Sequence, residues 1–139
     1  MPSARLMIAL PLAATPLAVG AWLWLVLLSP WTYDRPEHLA PVAPGSHALF
    51  VYGTLRHAPV RWLVYGRTGD PEEAVLPGYR REELDLEPDP DGRVEGLLLR
   101  VDAGELTRLD RYERLGIRYE RVRVTLADGR NAWTYRRLD

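Results

Sequence analysis

The sequence predicts an α+β domain carried behind one N-terminal membrane-spanning helix. Three observations carry this expectation. Residues 6–28 run for 23 positions without a charged side chain. The remainder is a series of strand-like stretches separated by turn residues. Two short helical stretches interrupt that series instead of alternating with every strand, which argues against a βαβ repeat.

The uncharged run, LMIALPLAATPLAVGAWLWLVLL, exceeds the roughly 20 apolar residues needed to cross a hydrocarbon core. Trp22, Trp24 and Trp31 gather at its C-terminal end, where indoles favour the membrane interface. Pro11 and Pro16 are tolerated in a bilayer helix. The rival reading is a cleaved signal peptide. Its apolar stretch is usually about 7–15 residues and ends in small residues, whereas LLSPW lacks the first of these. The expected division is residues 1–28 as a transmembrane anchor, residues 29–46 as a linker with Pro30, Pro36, Pro41 and Pro44, and residues 47–139 as the folded domain. Arg5 on one flank and Arg35 on the other nearly cancel in the positive-inside rule. The α-amino group tips the balance, so the expected location is a single-pass bacterial inner-membrane protein with its domain in the periplasm.

Composition excludes several chemistries. There is no cysteine, hence no disulfide and no thiol nucleophile. All 18 basic residues are arginine, so Schiff-base and P-loop lysine mechanisms are absent. After the anchor, 17 arginines face 19 acids with the signs interspersed. That net charge of −2 lacks the one-sided basic surface of a nucleic-acid binder.

Within the domain, Ala48–Tyr52 is the first strand, rich in β-formers and ending on Gly53-Thr54. Val60–Tyr65 fits a short helix with Trp62 and Leu63 as its apolar contacts. Residues 74–101 read as strand, turn, strand, with Asp91-Gly92 as the strong turn signal. Asp102–Glu113 changes to a helical period, with Asp102 and Glu105 forming a capping box and Val101 and Leu106 a hydrophobic staple. The stretch YERVRVTL alternates at Val122, Val124 and Leu126, and Asp128-Gly129 turns it into a last strand, NAWTYRR.

One carboxylate in the helix falls where an apolar residue belongs. At about 100° per residue, with Leu106 at zero, Leu109 lies near −60° and Glu113 near −20°. Glu113 therefore sits inside the core-facing arc, while Arg108, Arg111 and Arg114 take the other sides. An ionised carboxylate there is costly unless it is paired or its pKa rises. Either the helix stops by Tyr112 and Glu113 turns to solvent or an arginine, or Glu113 is a desolvated general base.

Two features, VYGTLR and LDRYE followed by Tyr119 and Arg121, together resemble the gamma-glutamylcyclotransferase-like superfamily. The shared pattern is Tyr52-Gly53-Thr54-Leu55, Gly78, Val94-Glu95-Gly96-Leu97, Leu109-Asp110-Arg111-Tyr112-Glu113, Tyr119-Glu120-Arg121 and Ala132-Trp133-Thr134-Tyr135. It covers residues 48–135. The resemblance implies a small mixed β-barrel with packed helices. It implies cleavage of a γ-glutamyl amide by cyclisation to 5-oxoproline, with Glu113 as base and the 52–55 loop binding the γ-glutamyl group. No cofactor or metal is implied, and the partner is a small-molecule γ-glutamyl substrate.

Tyr119 fits a substrate or Glu113 contact as well as it fits core. Tyr135 is a further substrate-binding candidate. Asp110 fits a helix or loop contact, Arg56 an exposed residue or a partner for a substrate carboxylate, and His57 a solvated side chain. The competing function is a membrane-tethered, non-catalytic module that binds a small amino-acid-like ligand.

Overall fold

The computed structural model describes residues 15–25 and 33–138. Residues 15–25 are helical, and the remainder of the apolar run lies outside the described residues. Among the described residues no helix is long and apolar enough to cross a membrane. The expected anchor therefore lies largely outside what the structure describes, and the helical portion alone is too short for it.

From Arg35 onward the chain forms a separate compact unit. Its strands are β1 (Ser46–Val51), β2 (Glu72–Glu82), β3 (Asp85–Asp102), β4 (Tyr119–Thr125) and β5 (Asn131–Arg137). Two α-helices, α1 (Ala58–Tyr65) and α2 (Ala103–Tyr112), and a 3-10 turn over Thr54–Arg56 complete it. The strand order is β2-β3-β1-β5-β4. Only β1 and β5 run parallel, and the other neighbours are antiparallel. This is the expected α+β class, with β1 at the centre.

The sheet curls. Ala127 N–H, in the β4–β5 turn, donates to Val75 O of β2 at 2.9 Å, and Arg130 pairs with Glu72 at 2.9 Å. The implied barrel is thus realised as a half-barrel whose two edges approach through a turn instead of a full ladder. Phe50, Leu76, Leu86, Val94, Leu98, Val124, Leu126 and Ala132 fill its concave side. Complete burial of each large side chain contributes about 1.5–3 kcal/mol. Gly96 marks where β3 passes closest to β1, because a Cβ there would lie 2.3 Å from Val51 O.

Two expected details change. The β2–β3 turn falls at Glu83-Leu84, with Glu83 at φ 53°, and not at Asp91-Gly92. Asp91-Gly92 instead forms an irregularity inside β3, where Pro77 pairs with Arg93 but Tyr79 pairs with Pro88. Asp91 N–H caps onto Asp89 Oδ1 there, so the turn chemistry is real but local. In α1, Trp62 and Leu63 are each 59% exposed, and Arg61 is buried in their place. Its guanidinium donates to the carbonyls of Leu55, Arg56 and Thr68, so a buried cation secures the 3-10 turn.

Helix α2 forms as its sequence dictates. Glu105 N–H donates to Asp102 Oδ1 at 2.8 Å, and Asp102 N–H donates to Glu105 Oε1 at 3.0 Å, a reciprocal capping box. Leu106 and Leu109 are fully buried. The helix ends at Tyr112 in a Schellman arrangement: Leu115 N–H reaches Asp110 O at 2.9 Å, and Arg114 N–H reaches Arg111 O at 3.1 Å. Arg114 holds the left-handed position, at φ 51°.

Candidate active site

Glu113 is the residue at which α2 stops, but it does not turn away. As the C-cap it keeps helical dihedrals, φ −83° and ψ −4°, so its side chain stays on the apolar arc computed from the sequence. The residue retains some exposure, yet its carboxyl group is enclosed. Among the described residues no side chain donates to it or pairs with it. Desolvation therefore acts unopposed and raises its pKa to about 7.

The 52–55 loop lies beside it. Thr54 Oγ1 and the hydroxyl of Tyr112, the last residue of α2, are 2.9 Å apart. This bond fastens the loop to the helix end that presents Glu113. Gly53 O accepts from Arg56 N–H at 3.2 Å, opening the 3-10 turn. The N–H groups of Thr54 and Leu55 precede that bond, and such first-turn donors have no acceptor within the turn. Leu55 is buried. A Cβ on Gly53 would meet only Leu84 Cδ2, at an ordinary 3.8 Å, so the protein's own packing does not demand glycine there.

Three tyrosines frame the carboxyl group. The charge of Glu113 contributes to raised phenol pKa values at Tyr52, Tyr119 and Tyr135, though burial is the larger cause at each. Tyr52 Oη donates to Tyr135 O at 2.7 Å, with a longer approach of 3.4 Å to Leu84 O. Tyr119 Oη donates to Leu84 O at 3.0 Å. Tyr135 Oη donates to Asp110 Oδ1 at 2.6 Å. The sequence-derived residues thus come together around Glu113, with the phenol protons of the tyrosines directed to protein acceptors.

Asp110 is the hub behind this frame. It is fully buried and accepts from Tyr135, from Arg121 Nε at 3.0 Å and from Arg35 Nη1 at 2.9 Å. The guanidinium of Arg121 also lies 4.7 Å from the Trp133 ring centroid. Arg56 is exposed and turns its Nε back to Gly53 O at 3.1 Å. His57 is exposed as the N-cap of α1. Neither faces Glu113 in any contact the structure shows.

Sequence reasoning missed Leu84. This hairpin-tip residue is 49% exposed, its side chain stands over Gly53, and its carbonyl collects two of the three tyrosines. Glu83-Leu84 carries no turn residue, and the stronger Asp-Gly signal drew the turn elsewhere. Arg61 and Arg35 were missed because an isolated arginine gives no sign of its partners. No cluster of His, Cys, Asp or Glu suited to a metal occurs among the described residues.

The model of the family described as "Gamma-glutamyl cyclotransferase, AIG2-like" matches residues 49–139. Protein AIG2 C of Arabidopsis thaliana is 39% identical, over 58% of this chain and 52% of its own length. AIG2-like protein C of the same plant is 33% identical, over 60% and 53% respectively. The chain therefore spans about half the length of these curated relatives. A solution structure of an Arabidopsis thaliana protein is similar at TM-score 0.59 and 31% identity, covering 68% of this chain and 70% of that one. A solved structure named gamma-glutamyl cyclotransferase is similar in fold, with TM-score 0.54, 14% identity and 68% of each chain covered.

Proposed function

The chain belongs to the gamma-glutamyl cyclotransferase, AIG2-like family, and on that premise we propose that it cleaves a γ-glutamyl amide or peptide by cyclisation. The products are 5-oxoproline and an amine or amino acid. The observation that carries this reading is Glu113: a desolvated carboxyl group without a partner among the described residues, joined to the 52–55 loop through the Thr54–Tyr112 contact.

In this mechanism the α-amino nitrogen of the substrate attacks its own γ-carbonyl carbon, closing a five-membered ring. No protein nucleophile is required, which suits a chain without cysteine or lysine. Intramolecular attack in a fixed geometry removes as much as roughly 7–11 kcal/mol of barrier. The nitrogen must first lose a proton, and Glu113 takes it. A carboxylate of ordinary pKa is a poor acceptor for the substrate's α-ammonium proton. Raising Glu113 to about 7 narrows that gap. The N–H groups of Thr54 and Leu55 are candidates to hold the oxyanion of the tetrahedral intermediate. As that intermediate collapses, the C–N bond to the leaving group breaks, Glu113 returns its proton to the departing nitrogen, and the second proton of the ring nitrogen passes through the Glu113 carboxylate to the released amine, leaving the neutral lactam.

Tyr52, Tyr119 and Tyr135 shape the wall of this site, and Gly53 leaves room for substrate against Leu84. The proposal is tested by incubating the full-length chain with a panel of γ-glutamyl amides and dipeptides and assaying for 5-oxoproline. Failure of every member to release it would sink the reading. The uncharged run before the domain is proposed as its membrane anchor, with the domain in the periplasm. A topology reporter fused after Asp139 checks that placement.

A further inference from the structure

Residues 35–40 precede the family match, which begins at residue 49, yet they are built into the end of α2. Arg35 Nη2 donates to Ala40 O at 2.7 Å, and Leu39 N–H donates to Pro36 O at 3.1 Å. These bonds fold the segment into a short strap. The same Arg35 guanidinium reaches through Nη1 to Asp110 Oδ2 at 2.9 Å. The strap also seats on Gly116, which has φ 83°. A Cβ at Gly116 would lie 2.8 Å from Pro36 and 3.0 Å from Leu39, so the strap occupies the space of any larger residue. Asp110 lies three residues before Glu113 and Gly116 three residues after it. The strap therefore grips the chain on both sides of the proposed base.

We propose that Arg35 is a positioning residue of the active site, holding the C-terminal end of α2 through Asp110 so that Glu113 stays aimed at the 52–55 loop. Among the described residues the buried Asp110 carboxylate has three donors, Tyr135, Arg121 and Arg35, and Arg35 alone of these three lies outside the family match. Without it, a fully buried anion keeps one guanidinium and one phenol. The least costly relief is a movement of the helix end toward solvent. That movement carries Glu113 with it, because Leu115 N–H bonds to Asp110 O across the same turn. A segment that reads as linker is thereby part of the site, and turnover depends on its seating.

This inference rests on the reading of Glu113 as the base, and the test separates the two. Full-length chains carrying Arg35→Gln, Arg35→Lys or Leu39→Ala are compared with wild type on the γ-glutamyl panel. Arg35→Gln is expected to lower kcat about ten- to a hundredfold through misplacement of the base, with KM unchanged and kcat expressed per folded molecule. Arg35→Lys restores most of the loss, since an ammonium still reaches Asp110 as a point charge. A folded Arg35→Gln chain with wild-type kcat overturns the proposal. If that variant does not fold, Leu39→Ala decides by the same criterion, because it loosens the strap without touching Asp110. If wild type turns over no panel member, the functional reading falls, and the carbon-13 carboxyl resonance of Glu113 judges Arg35 instead. Arg35→Gln displaces its titration curve if Arg35 holds the helix end, and superimposable curves overturn the assignment.

Discussion

Asp110 and Glu113 are carboxylates one helical turn apart at the same end of α2, and their surroundings are opposite. Asp110 is fully buried and, among the described residues, meets three donors from three separate parts of the chain. Glu113 keeps slight exposure but meets no donor among the described residues, so burial alone lifts its pKa to about 7. Burial with partners fixes an anion in place and makes it a joint. Burial without partners leaves a carboxyl that binds and releases a proton near neutrality. The helix thus carries its structural acid and its proposed catalytic acid side by side, separated by what reaches each of them.

The contrast breaks if the two residues respond alike to amide substitution. Glu113→Gln is expected to lower 5-oxoproline formation by about 10²–10⁴, the usual contribution of a general base, while leaving the fold intact by circular dichroism. Asp110→Asn is expected to act first on stability. Taking one partner from a buried, hydrogen-bonded charge cluster costs about 3–5 kcal/mol, read from the midpoint of a denaturant titration. A stable, inactive Asp110→Asn beside an active Glu113→Gln would reverse the roles assigned here.

A pH series sharpens the same comparison. The Glu113 pKa is raised in the folded state, from 4.5 to about 7. The folded chain therefore binds its proton more tightly than the unfolded chain does. The stabilisation due to protonated Glu113 is complete below about pH 4.5 and is lost as pH rises through about 7, by an amount on the order of 3 kcal/mol. Glu113→Gln removes that decline and is the more stable chain at pH 8. Turnover runs the other way, because the base must be ionised, so kcat/KM rises through about pH 7. Parallel stability curves for wild type and Glu113→Gln between pH 4 and 8 would show that Glu113 is solvated after all.

The local framework of this candidate site was legible in the sequence because its signals are local. The capping box at Asp102 and Glu105 and the place of Glu113 on the helical arc follow from spacing over a few residues. The arc survives the helix end because the C-cap retains helical dihedrals, a detail that periodicity does not contain. What was not legible depends on long-range partners. Nothing in the neighbours of Arg35 shows that its guanidinium meets Asp110, 75 residues away. Trp62 and Leu63 read as the packing face of α1, but the carbonyls of the 3-10 turn draw Arg61 inward and rotate both to solvent. The β2–β3 turn was displaced because Asp-Gly is favourable chemistry for a bulge as well as for a hairpin.

The smallest effects come from the tyrosines that bond Asp110 and the Leu84 carbonyl. Tyr135→Phe removes one donor from Asp110 and keeps the ring, so it is expected to cost about 1.5–3 kcal/mol, the range for a hydrogen bond to a charged group. Tyr119→Phe removes a bond to a neutral, partly exposed carbonyl, that of Leu84, and is expected to cost only about 0.5–1.5 kcal/mol. Its consequence for turnover is the more informative. The Leu84 carbonyl is the point at which the hairpin tip is tied down beside Gly53. Releasing it widens the site without moving Glu113, so KM rises while kcat holds. A fall in kcat at constant KM would instead place Tyr119 on the proton-transfer side of the site, with Glu113 and not with Leu84.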